Sequence, residues 1–446
     1  MAFDLIFRNA QLVEPECVRL VAVAVEAGTV VAIEPEINGS AGEEIDAAGL
    51  MLFPGVIDPH VHFNEPGRTE WEGAATGSAA FAAGGGTLYG DMPLNSSPAT
   101  IDGPAFDLKL AALKAHSLTD FAIWGGLGPH NHAHLPELAE RGVFAFKAFM
   151  CNSGIEDFPA VSEDQLGRGM EIAAKLGLPV GVHAEDDELT SELTQESISS
   201  GRTSVRDYLA SRPIRAEVDA IERAIKLAEQ TGCKLHIVHV SSGEGVAAVA
   251  EGRSRGVDVT CETCPHYLFL TDEDVVRIGA AAKCSPPIRD AATQVRLRQE
   301  LFAGRISFVA SDHSPAPQSM KTDANFFRIW GGIAGVQTTL GLMGASGFSP
   351  PQIGRALAFA AAERFSFPRK GAVRVGADAD FSLVDGAASW KLERSELLYR
   401  HPISPFLSRD MKGRVLRTFV RGRTVYPGGR VIGSGGGQFV RPGATR

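Results

Sequence analysis

No stretch of the chain approaches the ~18 uncharged apolar residues that a membrane-spanning helix requires, so a helical membrane protein is excluded. Cysteine is scarce. Six in 446 residues do not make a disulfide framework, and a reducing cytoplasm is the expected setting. Positive charge is not in excess either: a formal net charge of -10 argues against nucleic acid or an anionic membrane as a partner. The opening residues, MAFDLIFRNAQ, carry Asp4 and Arg8 and do not read as a signal peptide. No glycine-rich phosphate loop follows the first apolar strand, which counts against a doubly wound open sheet.

What is present points to a large core, since 44% of the residues are hydrophobic. Residues 1–54 alternate in short β-like runs, Leu5 to Phe7, Val21 to Val25 and Val30 to Ile33, with turns at Gly28 and Gly39. From about Gly371 the pattern returns in Phe381 to Val384, Val415 to Val420 and Thr424 to Tyr426. Neither piece buries a core easily by itself. Residues 1–54 and 371–446 are therefore expected to join in one small β-sandwich, the last dozen residues forming a loose glycine-rich tail.

Residues 55–370 repeat strand, loop and helix. Candidate strands are Leu52 to Ile57, Thr87 to Asp91, Phe121 to Leu127, Val143 to Ala148, Pro179 to His183, Lys234 to Val240, Val257 to Glu262 and Ile306 to Ser311. The clearest helix is Arg215 to Gln230, with Val218, Ile221, Ile225 and Ala228 on one face. The alternation predicts an α/β fold, a (β/α)8 barrel, whose catalytic residues come from the C-terminal ends of the strands. Two long connections, His183 to Pro213 and His313 to about Gly347, fit lids, substrate walls or subunit contacts.

The strand ends carry the chemistry. His60-Val61-His62 closes the first apolar run, and side chains two apart share a face. Lys147, His183, His239 and Asp312 fall in phase at the ends of the fourth, fifth, sixth and eighth candidate strands. Four imidazoles and a carboxylate suit zinc or a similar divalent ion. A lysine ammonium beside dications would be repelled, whereas burial favours a neutral amine. Such an amine can take up carbon dioxide, giving a carbamate able to bridge two metals. Singly, each residue has a plainer role: hydrogen-bonded histidine, surface lysine, turn-capping aspartate. Their coincidence at five strand ends favours the site. His236, out of phase, is expected to face the helices, and His130, His132 and His134 lie on a polar loop. Cys261 and Cys264 form a C-x-x-C with neither a second pair nor a thioredoxin-like context.

The segments PGVIDPHVHFNEPGRTEWEG, DMPLNS, FKAFMCNSGIEDFP, GVHAED, HIVHVSSGEG, ETCPHYL, KCSPPIRD, ASDHSPAP and WGGIAGVQ together resemble the cyclic amidohydrolases of the amidohydrolase superfamily, over nearly the whole chain. The resemblance implies a barrel with a β-sandwich from both termini. It implies two divalent ions per chain, with zinc expected and other divalent ions admissible. His60 and His62 would hold one ion, His183 and His239 the other, with carboxylated Lys147 bridging and Asp312 on the first. Dihydroorotases usually carry arginine where this chain has Asn64. Hydantoinases and dihydropyrimidinases usually carry tyrosine at Asn152 and tend to have asparagine at Gly331. The closest likeness is to members that open allantoin to allantoate in purine breakdown; hydantoin, dihydropyrimidine or dihydroorotate are alternative substrates, and a non-catalytic homologue a further one. A metal-bridged hydroxide would attack, and Asp312 would shuttle the proton. Asn64, Asn152, Ser285 and Gly331 are candidate contacts for a small cyclic ureide. A cytoplasmic homo-oligomer, dimer or tetramer, is also implied. Gly86, Leu88, Tyr89 and Gly90 depart from the β-branched run expected in the second strand.

Overall fold

The computed structural model describes residues 3–443. Strands from both ends of the chain build one eight-stranded sheet, in which Phe3–Val13 is paired by Val18–Glu26, Ala41–Asp46 and Met51–Pro54. Phe381–Lys391 then adds antiparallel to Met51–Pro54, followed by Asp410–Val420 and Arg423–Tyr426. The sheet folds over a core in which Phe7 meets Phe381 and Phe419 edge-on, at centroid distances of 5.2 and 5.1 Å. Such aromatic pairs are favoured beyond their buried area.

The apolar run from Leu52 to Ile57 is not one strand. Met51–Pro54 belongs to the terminal sheet and Val56–Val61 opens the barrel, with the change of sheet at Gly55. A Cβ at Gly55 would lie 2.2 Å from the Thr87 side chain, so only glycine lets the two strands pass. Gly86–Asp91, Asp120–Ile123, Phe146–Phe149, Val180–His183, Leu235–Ile237, Val259–Thr263 and Phe308–Val309 follow in parallel order. The third strand breaks at Trp124, and its short continuation Gly125–Gly126 pairs with Phe146 and Lys147. A parallel bridge between Val61 and His313 links the last strand to the first.

The glycines that departed from a β-branched second strand have a steric cause. A Cβ at Gly86 would strike the Phe81 ring at 2.1 Å, and one at Gly90 would meet Phe144 and the Pro59 carbonyl at 2.7 Å. Gly181 likewise makes room for the buried Trp124, whose indole N–H donates to the Pro59 carbonyl at 2.7 Å. Large rings fill this layer, and the strands carrying them give up side chains.

The amphipathic helix runs Ile214–Thr231, with Ala216, Ala220, Ile221, Ala224, Ile225 and Ala228 inward, whereas Val218 is only partly buried. Close packing against Glu163–Leu176 and Gly243–Ser254 selects alanine for this stripe. The connection after His183 is helical, as Asp187–Ser199 and Val205–Ala210, started by side-chain caps from Asp186 and Ser204.

Residues 437–440 of the C-terminal segment are not loose. The Phe121 N–H donates to the Gln438 carbonyl and the Val440 N–H to the Phe121 carbonyl, at 3.0 and 2.8 Å. Phe439 packs on Phe106 and Phe121. The glycines of GSGGG supply the positive φ angles of the approach, at +86, +76 and +98° for Gly433, Gly435 and Gly436. The tail's final residues, 444–446, lie outside the described residues.

Candidate metal centre and cavity

Each strand-end residue arrives at one cavity of about 600 Å³, lined by His60, His62, Lys147, His183, His239 and Asp312. His60 is the penultimate residue of the strand Val56–Val61, and His62 follows it. Lys147 lies within Phe146–Phe149, and His183 is the last residue of Val180–His183. His239 and Asp312 stand just beyond their strands with φ of +40 and +45°, in the left-handed region that non-glycine residues avoid. Neighbouring carboxylates hold these turns: Glu262 accepts the His239 N–H at 3.3 Å, and Asp58 accepts the N–H of Ser311. Backbone strain over-determined by its surroundings is characteristic of functional sites.

Asp312 Oδ1 lies 3.2 Å from His60 Nε2 and 3.3 Å from His62 Nε2. His183 Nδ1 and His239 Nε2 face one another at 3.0 Å. Among the described residues, the Lys147 amine, 1% exposed, has no hydrogen-bond partner, and Nδ1 of His62 and of His239 also lack one. Burial, against the pull of Asp312 and Glu262, brings Lys147 down to about 8. Burial also lowers His62, His183 and His239, the last pressed further by His183 and Lys147. Burial opposes charge on Asp312 as well, but His60 and His62 hold its carboxyl well below the usual range. Buried imidazole nitrogens, an unpartnered amine and an ionised carboxylate fit divalent metal better than they fit one another. His60, His239 and Asp312 offer ligand atoms within 4.8 Å of each other.

Sequence reasoning missed the carboxylates behind these residues. Glu262 receives His60 Nδ1 on one oxygen and His236 Nε2 on the other, the latter at 3.1 Å. His236 is therefore tied to the site's support, contrary to its expected place among the helices. Glu185 accepts from His183 Nε2 at 2.8 Å and pairs with both Nε and Nη2 of Arg212, at 3.1 and 2.9 Å. Burial raises a carboxyl, but Arg212 and His183 hold Glu185 down to about 2. Carboxylates behind metal-binding histidines fix ring and tautomer. The signal for Glu185 was its place two residues after His183, on the same face. Glu262 was hidden between two cysteines that drew the eye. Those thiols are buried, and burial raises Cys261 to about 11 and Cys264 well above the usual thiol value. Neither suits redox work.

Of the candidate substrate contacts, Asn152, Ser285 and Gly331 line the cavity. The Asn152 side chain accepts the Gly154 N–H at 2.9 Å, and the Ser285 hydroxyl meets Tyr208 Oη at 2.6 Å. Asn64 is not brought to the cavity. It is buried with φ +63°, and its amide reaches only the Pro315 carbonyl at 3.5 Å, because the chain turns inward there. Asn95 lines the cavity instead.

A parallel barrel with histidines, a lysine and an aspartate at its strand ends defines the class, and residues 51–425 match the family model described as "Amidohydrolase family". The chain belongs to that family. It is 53% identical over 446 residues to an allantoinase of Rubrobacter xylanophilus, covering 99% of this chain and 98% of that one. An allantoinase of Escherichia coli is 42% identical over 435 residues, covering 96% of each. Among solved structures, the L-hydantoinase (dihydropyrimidinase) from Arthrobacter aurescens superposes with a TM-score of 0.95 at 32% identity, covering 98% of this chain and all of that one.

Proposed function

We infer that the protein hydrolyses the ring amide of allantoin, opening the hydantoin ring to give allantoate. The convergence of four histidines, Asp312 and an unpartnered buried Lys147 on one cavity carries the reaction class. The substrate is supported by full-length identity of 42 to 53% to proteins named allantoinase.

His60, His62 and Asp312 would hold one divalent ion, and His183 and His239 a second, with the carbamate of Lys147 between them. Two such ions, zinc in this reading, supply Lewis acidity toward a carbonyl and acidify water from a pKa of 15.7 to about 7. The chain's own residues do the rest. Glu262 and Glu185 keep Nδ1 of His60 and Nε2 of His183 protonated, leaving the opposite nitrogens to donate. Asp312, ionised across neutral pH, takes the proton of the attacking water and returns it to the leaving ring nitrogen. Ser285, Asn152 and the backbone at Gly331 offer donors and acceptors to the ureide edge. Division into a barrel at 55–370 and a terminal β domain, cytoplasmic location, and assembly as a homo-oligomer belong to the same reading.

Hydantoin hydrolysis is the second reading, favoured by the superposition on the Arthrobacter enzyme. Purified protein assayed against allantoin, hydantoin, dihydrouracil and dihydroorotate separates the two. Allantoin should be turned over with the highest kcat/KM; a higher value for hydantoin would overturn the substrate assignment.

A further inference from the structure

His236 plays no part in the reaction as derived, yet it is fully buried and polar at both ends. Its Nε2 meets Glu262 Oε2 at 3.1 Å, and its Nδ1 meets Thr260 Oγ1 at 2.8 Å. The ring stacks on Phe308 at a centroid distance of 5.0 Å and an interplanar angle of 17°, with Phe365 against its edge. Thr260 in turn lines a second cavity, of about 510 Å³, walled by Lys234, Asp258 and Ile306 at the opposite ends of the strands. A continuous hydrogen-bonded chain thus crosses the barrel from His60 through Glu262 and His236 to Thr260.

The direction of each bond follows from what each group can do. An ionised carboxylate only accepts, so His60 Nδ1 and His236 Nε2 must each carry a proton. A neutral His236 then has its lone pair on Nδ1, which takes the Thr260 hydroxyl proton. His60 has its lone pair on Nε2, the nitrogen 3.2 Å from Asp312. Among the described residues the Glu262 carboxylate meets only N–H donors, two from imidazoles and one from the His239 backbone, and no lysine or arginine. Losing one frees the carboxylate to turn.

We propose that His236 is a positioning residue for His60, acting through Glu262 to present His60 Nε2 as a metal-binding nitrogen. This rests on the reading of His60 as a metal ligand. Phe308 and Phe365 hold the His236 ring in plane, Glu262 sets its tautomer, and the Thr260 hydroxyl, able to donate or accept, complements it.

The test uses apo-protein prepared by chelation and titrated with zinc against a chromogenic chelator. His236→Phe keeps the stack and removes the N–H. It should bind one of the two zinc ions about 10- to 100-fold more weakly than wild type, the usual effect of losing a partner behind a ligand. His236→Gln, whose amide N–H falls near Nε2, should restore most of that affinity. A folded His236→Phe with wild-type zinc affinity, or a loss that Gln does not restore, overturns the proposal. Wild type that takes up no zinc overturns instead the ligand reading beneath it. Should His236→Phe fail to fold, neutron diffraction from zinc-loaded wild type decides. Deuterons on His60 Nδ1 and His236 Nε2 support the proposal, and a deuteron on His236 Nδ1 with Nε2 bare overturns it.

Discussion

The Asp58 carboxylate accepts the backbone N–H of Ser311 from the adjoining last strand, its two oxygens at 3.1 and 3.2 Å. Asp58 lies two residues before His60 and Ser311 one before Asp312, so a single contact fixes the spacing of the first and last strands' contributions to the site.

Held this way, Asp312 is placed for a role beyond ligation. Asp312→Asn should retain most of the metal while turnover falls by at least about 10²-fold, the lower range for general acid–base catalysis. The group is ionised in the native protein, so its protonation silences the enzyme as pH falls; the acid limb of the rate profile should vanish in the variant. Metal content and turnover measured on one sample check this. Activity lost only in proportion to metal would make Asp312 a ligand alone.

Lys147→Ala should abolish turnover and strip metal, and acetate or propionate should partly restore both by standing in for the carbamate. Elemental analysis and assay before and after adding the acid read the result. Near-normal turnover in the variant would remove the carbamate from the mechanism.

Carbamate formation should also depend on pH in a set direction. Carbon dioxide reacts with the neutral amine, and Lys147 is lowered to about 8 by burial. Below that value the neutral fraction falls about tenfold per pH unit. Reactivation of apo-protein by zinc at a constant concentration of dissolved carbon dioxide should therefore slow about tenfold from pH 7 to pH 6 and level off above pH 8. A rate flat across that range would count against it.

Lys370 offers a stability test away from the cavity. Its ammonium is 2% exposed and bonds Asp120 at 2.6 Å, Asp380 at 2.7 Å and Asp378 at 2.9 Å. Burial opposes the charge, but the three carboxylates raise it above the usual lysine value. A raised pKa means that this contribution is fully present at neutral pH and fades only in strong alkali. Arg421 also pairs with Asp120, and Arg369 with Asp378 at 2.8 Å, so Lys370→Met leaves the buried Asp380 without a side-chain cation and should cost about 3–5 kcal/mol, read as a lower midpoint in denaturant. An unchanged midpoint would show that Arg421 and Arg369 suffice to neutralise the cluster.

The barrel was legible because strand ends and chemistry coincide in a period-two pattern that placed Lys147 and His183, whereas His239 comes to the cavity through a left-handed turn after a strand whose inward residue is His236, not Leu235 or Ile237. The family resemblance then assigned roles that spacing could not. Three things stayed hidden for physical reasons. Glu262 and His236 serve through hydrogen bonds between strands, and alternation along one strand does not report them. The break at Gly55 depends on Thr87, a residue far off in sequence. The tail looked loose because glycine composition is common to flexible linkers and to segments that need positive φ, and only the partners at Phe121 distinguish them.

Those partners bear on the order in which the molecule can be made. Residues 437–440 lie against the third barrel strand, and the strand Phe381–Lys391 is the one that joins Met51–Pro54 to the rest of the terminal sheet. Neither the sheet nor the Phe121 edge of the barrel can therefore close until segments more than 300 residues apart in sequence have both been made. Helices and local pairs can form earlier during synthesis, but these two closures wait for the strands from Phe381 onward and for residues 437–440.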